Sequence, residues 1–413
     1  MSNVLIISSD CHAGALPPMY KEYLPKAYHE AADRWWLGFA REMIARSGTF
    51  FDQEAVDEYA EQTDGSRRLP SMGAGPASLT DEALRAMFED PNNAFAPRRG
   101  EWDAAVRLEE LEADGIAGEV IFPQMAPFGA GLMQYRNRID PQQNLEGNRA
   151  YNRFLADLCN TNPGRHAGVA IVNVDHIDVT VQEIRDAKEM GLWGGVMIPT
   201  HTGDHPFYHH PRYAPIWAIC EELDMPVHSH SGWSPDYGDV PAATAMYITE
   251  VDMWAHRPFA ALMWSGAFER HPNLKYILTE QGCSWILETL RVLEFKASLP
   301  FFSHFTKGLT LRPTEYFQRQ CFLGASFLAP HEGVDRHEIG LEKLMWGSDY
   351  PHLEGTWPHT MASLRATFSE YPEHEIRAIL GNNAVEVLGF DPAIVGPVGE
   401  KIGPSLEAIR GEA

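Results

Sequence analysis

The sequence has little positive charge, few cysteines and no long hydrophobic run. Lys and Arg number 33 against 57 Asp and Glu, for a net charge of -24. This balance argues against nucleic acids and anionic membrane surfaces as partners, because both bind basic patches. The 5 cysteines are scattered without C-x-x-C spacing, which favours a reducing cytosol over a disulfide scaffold. Without a run of about 18 apolar residues or a leader-like N-terminus, we expect a cytoplasmic protein that spans no membrane.

The composition that is present is that of an ordinary globular protein. Hydrophobic residues make up 44% of the 413 residues and charged residues 22%, which is enough for a large core. The length exceeds that of a typical domain, but α/β barrels often fold as one long domain.

Short apolar or β-branched segments recur along the chain, bounded by turn residues, and indicate β-strands. Helical spacing appears at 104–114, 180–190 and 212–223, and Gly115 and Gly191 are expected to end the first two helices. Strands that alternate with helices predict a (β/α)8 barrel, with a doubly wound open sheet as the second choice. The predicted strands are 3–9, 118–123, 167–174, 194–199, 225–230, 274–280, 319–326 and 342–349.

Residues 20–100 interrupt this alternation with an acidic stretch at 52–65 and a loop at 69–79. We interpret them as an insertion after strand 1 that forms a cap region or an oligomer contact. Residues 395–413 are polar and contain Gly and Pro, which predicts a C-terminal tail. The remaining residues, 1–394, are predicted to form one barrel domain.

Ligand-type side chains stand at five of the eight predicted strand ends, where barrels of this kind build their active sites. Residues two apart on a strand share a face, so Asp10 pairs with His12 and His228 with His230. Since these ends are distant in sequence, one shared centre explains them best. Imidazole and carboxylate ligands without cysteine suit zinc, iron or manganese. The residues at these ends are Asp10, His12, His201, His228, His230, Glu280, Asp349 and His352.

Several stretches resemble the amidohydrolase superfamily, in the branch that contains aminocarboxymuconate semialdehyde decarboxylase and related hydrolases. The resemblance implies a barrel and one catalytic divalent metal, held by a strand 1 pair, a strand 5 histidine and a strand 8 aspartate. Here those positions are Asp10, His12, His230 and Asp349, and His230 matches the histidine of the family's "PV-x-x-H". The matching stretches are 107–123, 151–172, 213–232, 266–282, 344–352 and 376–391.

Two positions depart from the family pattern. The usual His-x-His of strand 1 is Asp10-x-His12, and the usual strand 6 histidine is Glu280 in "TEQG". Both changes replace a neutral nitrogen by an anionic oxygen, so Asp10, Glu280 and Asp349 converge. Three carboxylates around one zinc are unfavourable unless one is a general base or a second metal is present. Zinc is the first expectation, with iron, as one or two ions, or manganese as the alternative.

These residues predict a metal-dependent hydrolase that acts on an amide, an ester or a C–C bond next to a carbonyl through a metal-activated water. Asp349 or Glu280 is the expected base, and His201 a candidate acid. One alternative is non-oxidative decarboxylation, for which the motif stretches show no clear basic clamp. Another is a non-haem di-iron oxygenase, which the carboxylate substitutions favour. A catalytically inactive binding protein is disfavoured by the retained His230 and Asp349.

Several candidates carry two interpretations. His352 is a ligand or a loop hydrogen-bonding residue. His228 and Trp233 bind substrate or belong to the core. Arg136 either clamps a substrate carboxylate or is a solvated loop charge. The expected partners are a small-molecule substrate and, by the resemblance, further copies of the chain.

Overall fold

The structure is a computed structural model, and it describes residues 3–50, 80–89, 97–129, 140–238, 240–352 and 354–412. Eight parallel strands are hydrogen-bonded in chain order, which confirms the predicted (β/α)8 barrel. The doubly wound sheet is excluded, because its strand order is not sequential. The strands are β1 (Ile7–Ala13), β2 (Gly118–Pro123), β3 (His166–Ile171), β4 (Gly195–Met197), β5 (Val227–His230), β6 (Tyr276–Thr279), β7 (Cys321–Ser326) and β8 (Leu344–Gly347).

The seam between the last strand and the first lies just beyond β8. Cys11 forms a parallel bridge with Tyr350. The His12 amide donates to the Tyr350 carbonyl at 2.6 Å, and the Asp349 amide donates to the Asp10 carbonyl at 2.9 Å. The residues that close the barrel are therefore those that carry candidate metal ligands.

Strand β1 lies four residues later than the predicted strand 3–9. The polar residues Asp10 and His12 interrupt the apolar pattern. The ladder to β2 shifts register between Ser8 and Cys11 and then resumes, with His12 opposite Phe122. Upstream, the Val4 amide donates to the Pro404 carbonyl at 2.9 Å. Asp10 and His12 thus lie within the strand, His12 in the regular ladder and Asp10 at the register shift, where its carbonyl accepts from the Asp349 amide.

Helices cover the outside of the barrel. The helix predicted at 104–114 begins after Asp103, whose carboxylate accepts from the Ala105 and Val106 amides, and it is followed by Gly115 at φ 81. The α-helices of the described residues are His29–Phe50, Asp81–Glu89, Arg99–Trp102, Ala104–Ala113, Pro141–Cys159, Ile177–Glu189, Ala214–Glu222, Pro241–Trp264, Ala267–Arg270, Trp285–Ser298, Pro313–Gln320, Arg336–Ile339, Thr360–Phe368, Glu373–Arg377, Asn383–Leu388, Pro392–Ile402 and Leu406–Arg410.

The described part of the insertion packs on the barrel beside β2. Trp36, Ala40 and Leu84 are buried against one another in a small separate core, and the Trp35 ring lies 6.2 Å from that of Phe128. The acidic stretch and the loop at 69–79 lie outside the described residues. The cap interpretation therefore stays a prediction.

The predicted C-terminal tail is wrong. Within the described part of this segment, residues 395–412, the chain continues the helix Pro392–Ile402 and forms the helix Leu406–Arg410. Val395 and Ile409 are fully buried in the main core. The segment was too short for its apolar spacing to stand out against its Gly and Pro content. As to membranes, none of the helices in the described ranges combines the length and the hydropathy that a bilayer crossing requires.

Candidate metal centre

Six polar side chains converge at the carboxyl end of the barrel. They form two overlapping sets of four residues, and within each set the ligand atoms lie within 4.8 Å of one another. We call Asp10, His12, His230 and Glu280 the first ligand group, and His12, Glu280, Asp349 and His352 the second ligand group. The structure thus brings together every residue that the sequence proposed as a metal ligand.

The spacing of these atoms is that of ligands around a cation. His12 Nε2 lies 3.5 Å from Asp10 Oδ1, 3.4 Å from Glu280 Oε2 and 3.3 Å from Asp349 Oδ1. His230 Nε2 lies 3.3 Å from Asp10 Oδ1 and 3.2 Å from Glu280 Oε2. Neighbouring ligands bound at about 2.1 Å from one ion are roughly 3–3.5 Å apart.

The backbone turns sharply at two of the carboxylates. Glu280 directly follows β6 with φ 54, and Asp349 follows β8 with φ 55. This left-handed conformation is uncommon for residues other than glycine, and such strain is typical of functional sites. The Glu280 amide is held by the Gly324 carbonyl at 3.1 Å. The fold therefore holds both side chains at the barrel mouth against a local conformational preference.

Buried polar atoms without partners indicate that a cation fits here. Among the described residues, His12 Nε2, Glu280 Oε2, both Asp349 carboxylate oxygens and His352 Nδ1 are buried without a hydrogen bond. His12 Nδ1 donates to the Pro123 carbonyl at 3.1 Å, which leaves the Nε2 lone pair free. Such a backbone contact behind the ring is the usual support of a metal-binding histidine.

The electrostatics point the same way. Burial acts to lower the pKa of His12, but Asp349 and Glu280 outweigh it and raise the pKa to about 10. Burial also opposes protonation of His230, and the charges of Glu280 and Asp10 raise its pKa to about 9. Carboxylates that impose such shifts on buried imidazoles would be neutralised equally well by a divalent cation.

Supporting residues stand behind the ligands, and sequence reasoning missed them. The Ser231 hydroxyl donates to Glu280 Oε1 at 2.8 Å, and the Ser326 hydroxyl donates to Asp10 Oδ2. Gln124 is hydrogen-bonded to His352 Nε2. Each stands at or directly after the end of a strand, and this position is the signal that could have found them.

Asp252 is a further acid whose charge interacts with those of Glu280 and His230. It lies on the long helix Pro241–Trp264, on the same face as the fully buried Ala255 and Phe259. Burial raises its pKa to about 6, and the charge of Glu280 contributes. Asp252 stands in a helix rather than at a strand end, so the sequence argument had no reason to select it.

Three other predicted residues lie apart from the ligand groups. His228 Nε2 donates to the Gly194 carbonyl at 3.0 Å, and burial lowers the pKa of His228 to about 3, so it belongs to the barrel interior. The His201 ring stacks on that of Trp233 at 4.2 Å, which makes a flat wall after β4 and β5. Arg136 lies outside the described residues.

Arg257 stands beside this wall. Its guanidinium lies 4.5 Å from the ring centroid of Trp254 and 4.8 Å from that of Phe207. Trp254 in turn contacts Trp233, with ring centroids 4.8 Å apart. Among the described residues no carboxylate pairs with Arg257, although its charge contributes to lowering the pKa of His201, after burial. A decarboxylase is expected to have a basic residue that binds the substrate carboxylate, and the motif stretches show no such residue. Arg257 is a residue of this type.

Comparison with known proteins gives the family. The family model described as Amidohydrolase matches residues 42–390. The 2-amino-3-carboxymuconate-6-semialdehyde decarboxylase of Dictyostelium discoideum is 25% identical over 305 residues, which cover 70% of this chain and 78% of that protein.

Solved structures show the same fold. The 5-carboxyvanillate decarboxylase of Sphingomonas paucimobilis has a TM-score of 0.61 at 16% identity, covering 94% of this chain and 100% of that one. A dihydroxybenzoic acid decarboxylase of Polaromonas sp., with bound manganese and the inhibitor 2-nitroresorcinol, has a TM-score of 0.57 at 16% identity, covering 94% and 97%. The family model spans most of the chain, and the chain therefore belongs to the amidohydrolase family.

Proposed function

We propose that this chain is a metal-dependent decarboxylase that removes carbon dioxide from a small organic acid without an oxidant. The observation that carries the proposal is the convergence of the buried Asp10, His12, His230 and Asp349 with the partly exposed Glu280 at the barrel mouth. The names of its relatives support this reaction. Hydrolysis, the first prediction from the sequence, has less direct support.

We infer that the metal is manganese rather than zinc. The donor set combines imidazole nitrogens with the three carboxylates Asp10, Glu280 and Asp349, and such oxygen-rich sets suit manganese better than zinc, whose sites carry a larger share of nitrogen or sulfur ligands. A divalent cation held by these residues would act as a Lewis acid toward the oxygens of the substrate. Metal analysis, followed by reconstitution of chelated protein with manganese, zinc or iron, tests this choice.

Substrate enters, in this proposal, from the side of Glu280 and His352. Their side chains are 24% and 18% exposed, whereas those of Asp10, His12 and Asp349 are fully buried. The stacked His201 and Trp233 offer a flat surface to an aromatic or conjugated substrate. Arg257 supplies the positive charge that a second carboxylate or a phenolate on the substrate would bind.

The proton that replaces the carboxyl group comes from Asp252. Decarboxylation requires a proton at the carbon that loses carbon dioxide, and a general acid acts best with a pKa near the working pH. Asp349 is unsuited as a donor: despite burial, His352 and His12 lower its pKa and keep it ionised. Asp252, with its pKa raised to about 6 chiefly by burial, meets the requirement.

The test is release of carbon dioxide from a panel of hydroxybenzoates and unsaturated dicarboxylates by manganese-loaded protein. We expect turnover that is lost on chelation, and a fall in kcat of about 100-fold or more in Asp252→Asn. Asp224→Asn, at an exposed acid, is the matched control and should be fully active. Hydrolysis of amides or esters by the same preparation, with no carbon dioxide from any acid, would overturn the proposal.

A further inference from the structure

We propose that the centre holds two divalent cations. The first is bound by Asp10, His12 and His230. The second is bound by Asp349 and His352, and Glu280 lies between the two. The positions of the two ions are argued from this chain's residues alone, and only the charge balance rests on the proposed carboxylate substrate.

The histidine nitrogens that can bind metal call for two ion positions. Both ligand groups contain His12, but its Nδ1 donates to the Pro123 carbonyl. Only Nε2 remains, and one imidazole nitrogen binds one ion. His12 and His230 share the contacts to Asp10 and Glu280 at 3.2–3.5 Å. His352 is absent from this first ligand group, so an ion bound to its Nδ1, which faces Asp349 Oδ1, needs a second position.

The orientation of His352 supports that position. Gln124 Oε1 lies within hydrogen-bonding distance of His352 Nε2, and a neutral ring that donates there carries a bare lone pair on Nδ1. That nitrogen lies only 2.7 Å from Asp349 Oδ1. A lone pair and a carboxylate oxygen repel at this distance unless a cation or a proton joins them. The His352 ring also stacks on that of His12, with centroids 4.0 Å apart, which fixes its direction.

Charge balance favours a cation over a proton alone. Asp10 and Asp349 are fully buried, and with Glu280 they bring three negative charges into one centre. One divalent ion leaves a net charge of about -1, which a carboxylate substrate would make more negative. Two ions leave about +1, which one substrate carboxylate neutralises. Buried charge is costly unless it is compensated.

The experiment measures ions per chain on the full-length protein. Chelated protein is saturated with manganese chloride, freed of excess metal and analysed for metal and for protein. Electron paramagnetic resonance is recorded on the same samples, because two adjacent manganese ions couple magnetically and change the spectrum. We compare the wild type with His352→Ala and with the control His374→Ala, at an exposed histidine.

We expect about two manganese ions per chain and a coupled spectrum in the wild type and in His374→Ala. His352→Ala should retain about one ion and give an uncoupled spectrum. One uncoupled ion per chain in the wild type overturns the proposal and leaves a proton between Asp349 and His352. Two ions in both the wild type and His352→Ala also overturn it. The wild-type spectrum decides the question even if His352→Ala does not fold.

Discussion

At the scale of single residues, the candidate centre depends on hydrogen bonds one step behind the ligands. Ser231 holds one oxygen of Glu280 at 2.8 Å, and the other oxygen faces His12 and His230. Glu280 is also the most exposed of the six ligand candidates. The serine is therefore what limits the motion of this carboxylate.

Replacing this serine tests that role. In Ser231→Ala we expect the affinity for manganese to fall about 10- to 100-fold, because the carboxylate loses the contact that orients it. Isothermal titration calorimetry of the chelated protein measures the affinity. Ser234→Ala removes a buried hydroxyl that donates to the Pro235 carbonyl instead and should leave the affinity unchanged. Equal losses in both variants would contradict the assignment.

Arg257 allows a test of substrate recognition. Arg257→Met keeps the length of the side chain and its contact with Trp254 but removes the charge. We expect KM for an acidic substrate to rise about 10- to 100-fold with little change in kcat, the loss expected for one hydrogen bond to a charged group. Steady-state kinetics measure this. Arg291→Met, at an exposed arginine paired with Glu338, is the control, and a KM that rises equally in both would exclude a role for Arg257.

How far the sequence predicts this centre follows from where its residues lie. The six ligand candidates were found because the ends of barrel strands meet, only a few residue types bind metal, and the family resemblance implied four of the six. Arg257 and Asp252 were missed because they belong to the helix Pro241–Trp264, whose position over the barrel mouth no local pattern reveals. Tertiary packing, rather than local pattern, brings such residues to a site.

At the scale of elements, the sequence predicts best where a segment is buried on all sides. All eight strands were predicted, but β1 was displaced by four residues because its ligands are polar. The helix Leu406–Arg410 was missed altogether, although Leu406 and Ile409 are buried on one face. With 5 residues, the helix is too short for a helical spacing of apolar residues to be recognised in the sequence.

The C-terminal helices therefore contribute to stability. Ile409→Ala should lower the free energy of unfolding by about 2–5 kcal/mol, because it leaves a cavity in the main core. Ile394→Ala, on the neighbouring helix but 40% exposed, should cost about 0.5 kcal/mol. Urea unfolding followed by circular dichroism compares the two. If the two variants lose the same amount, the helix Leu406–Arg410 does not share the main core.

At the scale of the whole molecule, a buried ion pair links the outer layer to the barrel. Arg107, on the helix Ala104–Ala113, makes two 2.6 Å hydrogen bonds to Glu119 on β2. It also donates to the His12 carbonyl on β1 at 2.8 Å, and His166 on β3 lies 2.8 Å from Glu119. One helix and three strands thus meet at a single buried ion pair.

This pair predicts a dependence of stability on pH. Burial acts to raise the pKa of Glu119, but the charge of Arg107 outweighs it and lowers the pKa from 4.5 to about 2. A lowered pKa contributes stability that is fully present above pH 4.5 and is lost as the pH falls toward 2. Glu119→Gln should cost about 3–5 kcal/mol at pH 7, because Arg107 stays buried without its partner.

The difference in the free energy of unfolding between the wild type and Glu119→Gln should then become smaller as the pH falls below about 4.5. Urea unfolding from pH 7 to pH 3 measures it. If this difference in the free energy of unfolding stays constant with pH, Glu119 is not negatively charged in the folded protein. Glu373→Gln, at a partly exposed acid paired with Arg377, is the control and should unfold like the wild type at every pH.

The seam of the barrel has a consequence for the synthesis of the chain. Asp10 and His12 leave the ribosome early, but their backbone contacts are with Asp349 and Tyr350, which emerge more than three hundred residues later. A nascent chain thus carries two of the six ligand candidates until His230 is synthesised, and it cannot assemble the centre before Asp349 and His352 emerge. Metal binding therefore occurs late, when the seam between β8 and β1 closes the barrel. A chain truncated before Asp349 lacks a complete centre.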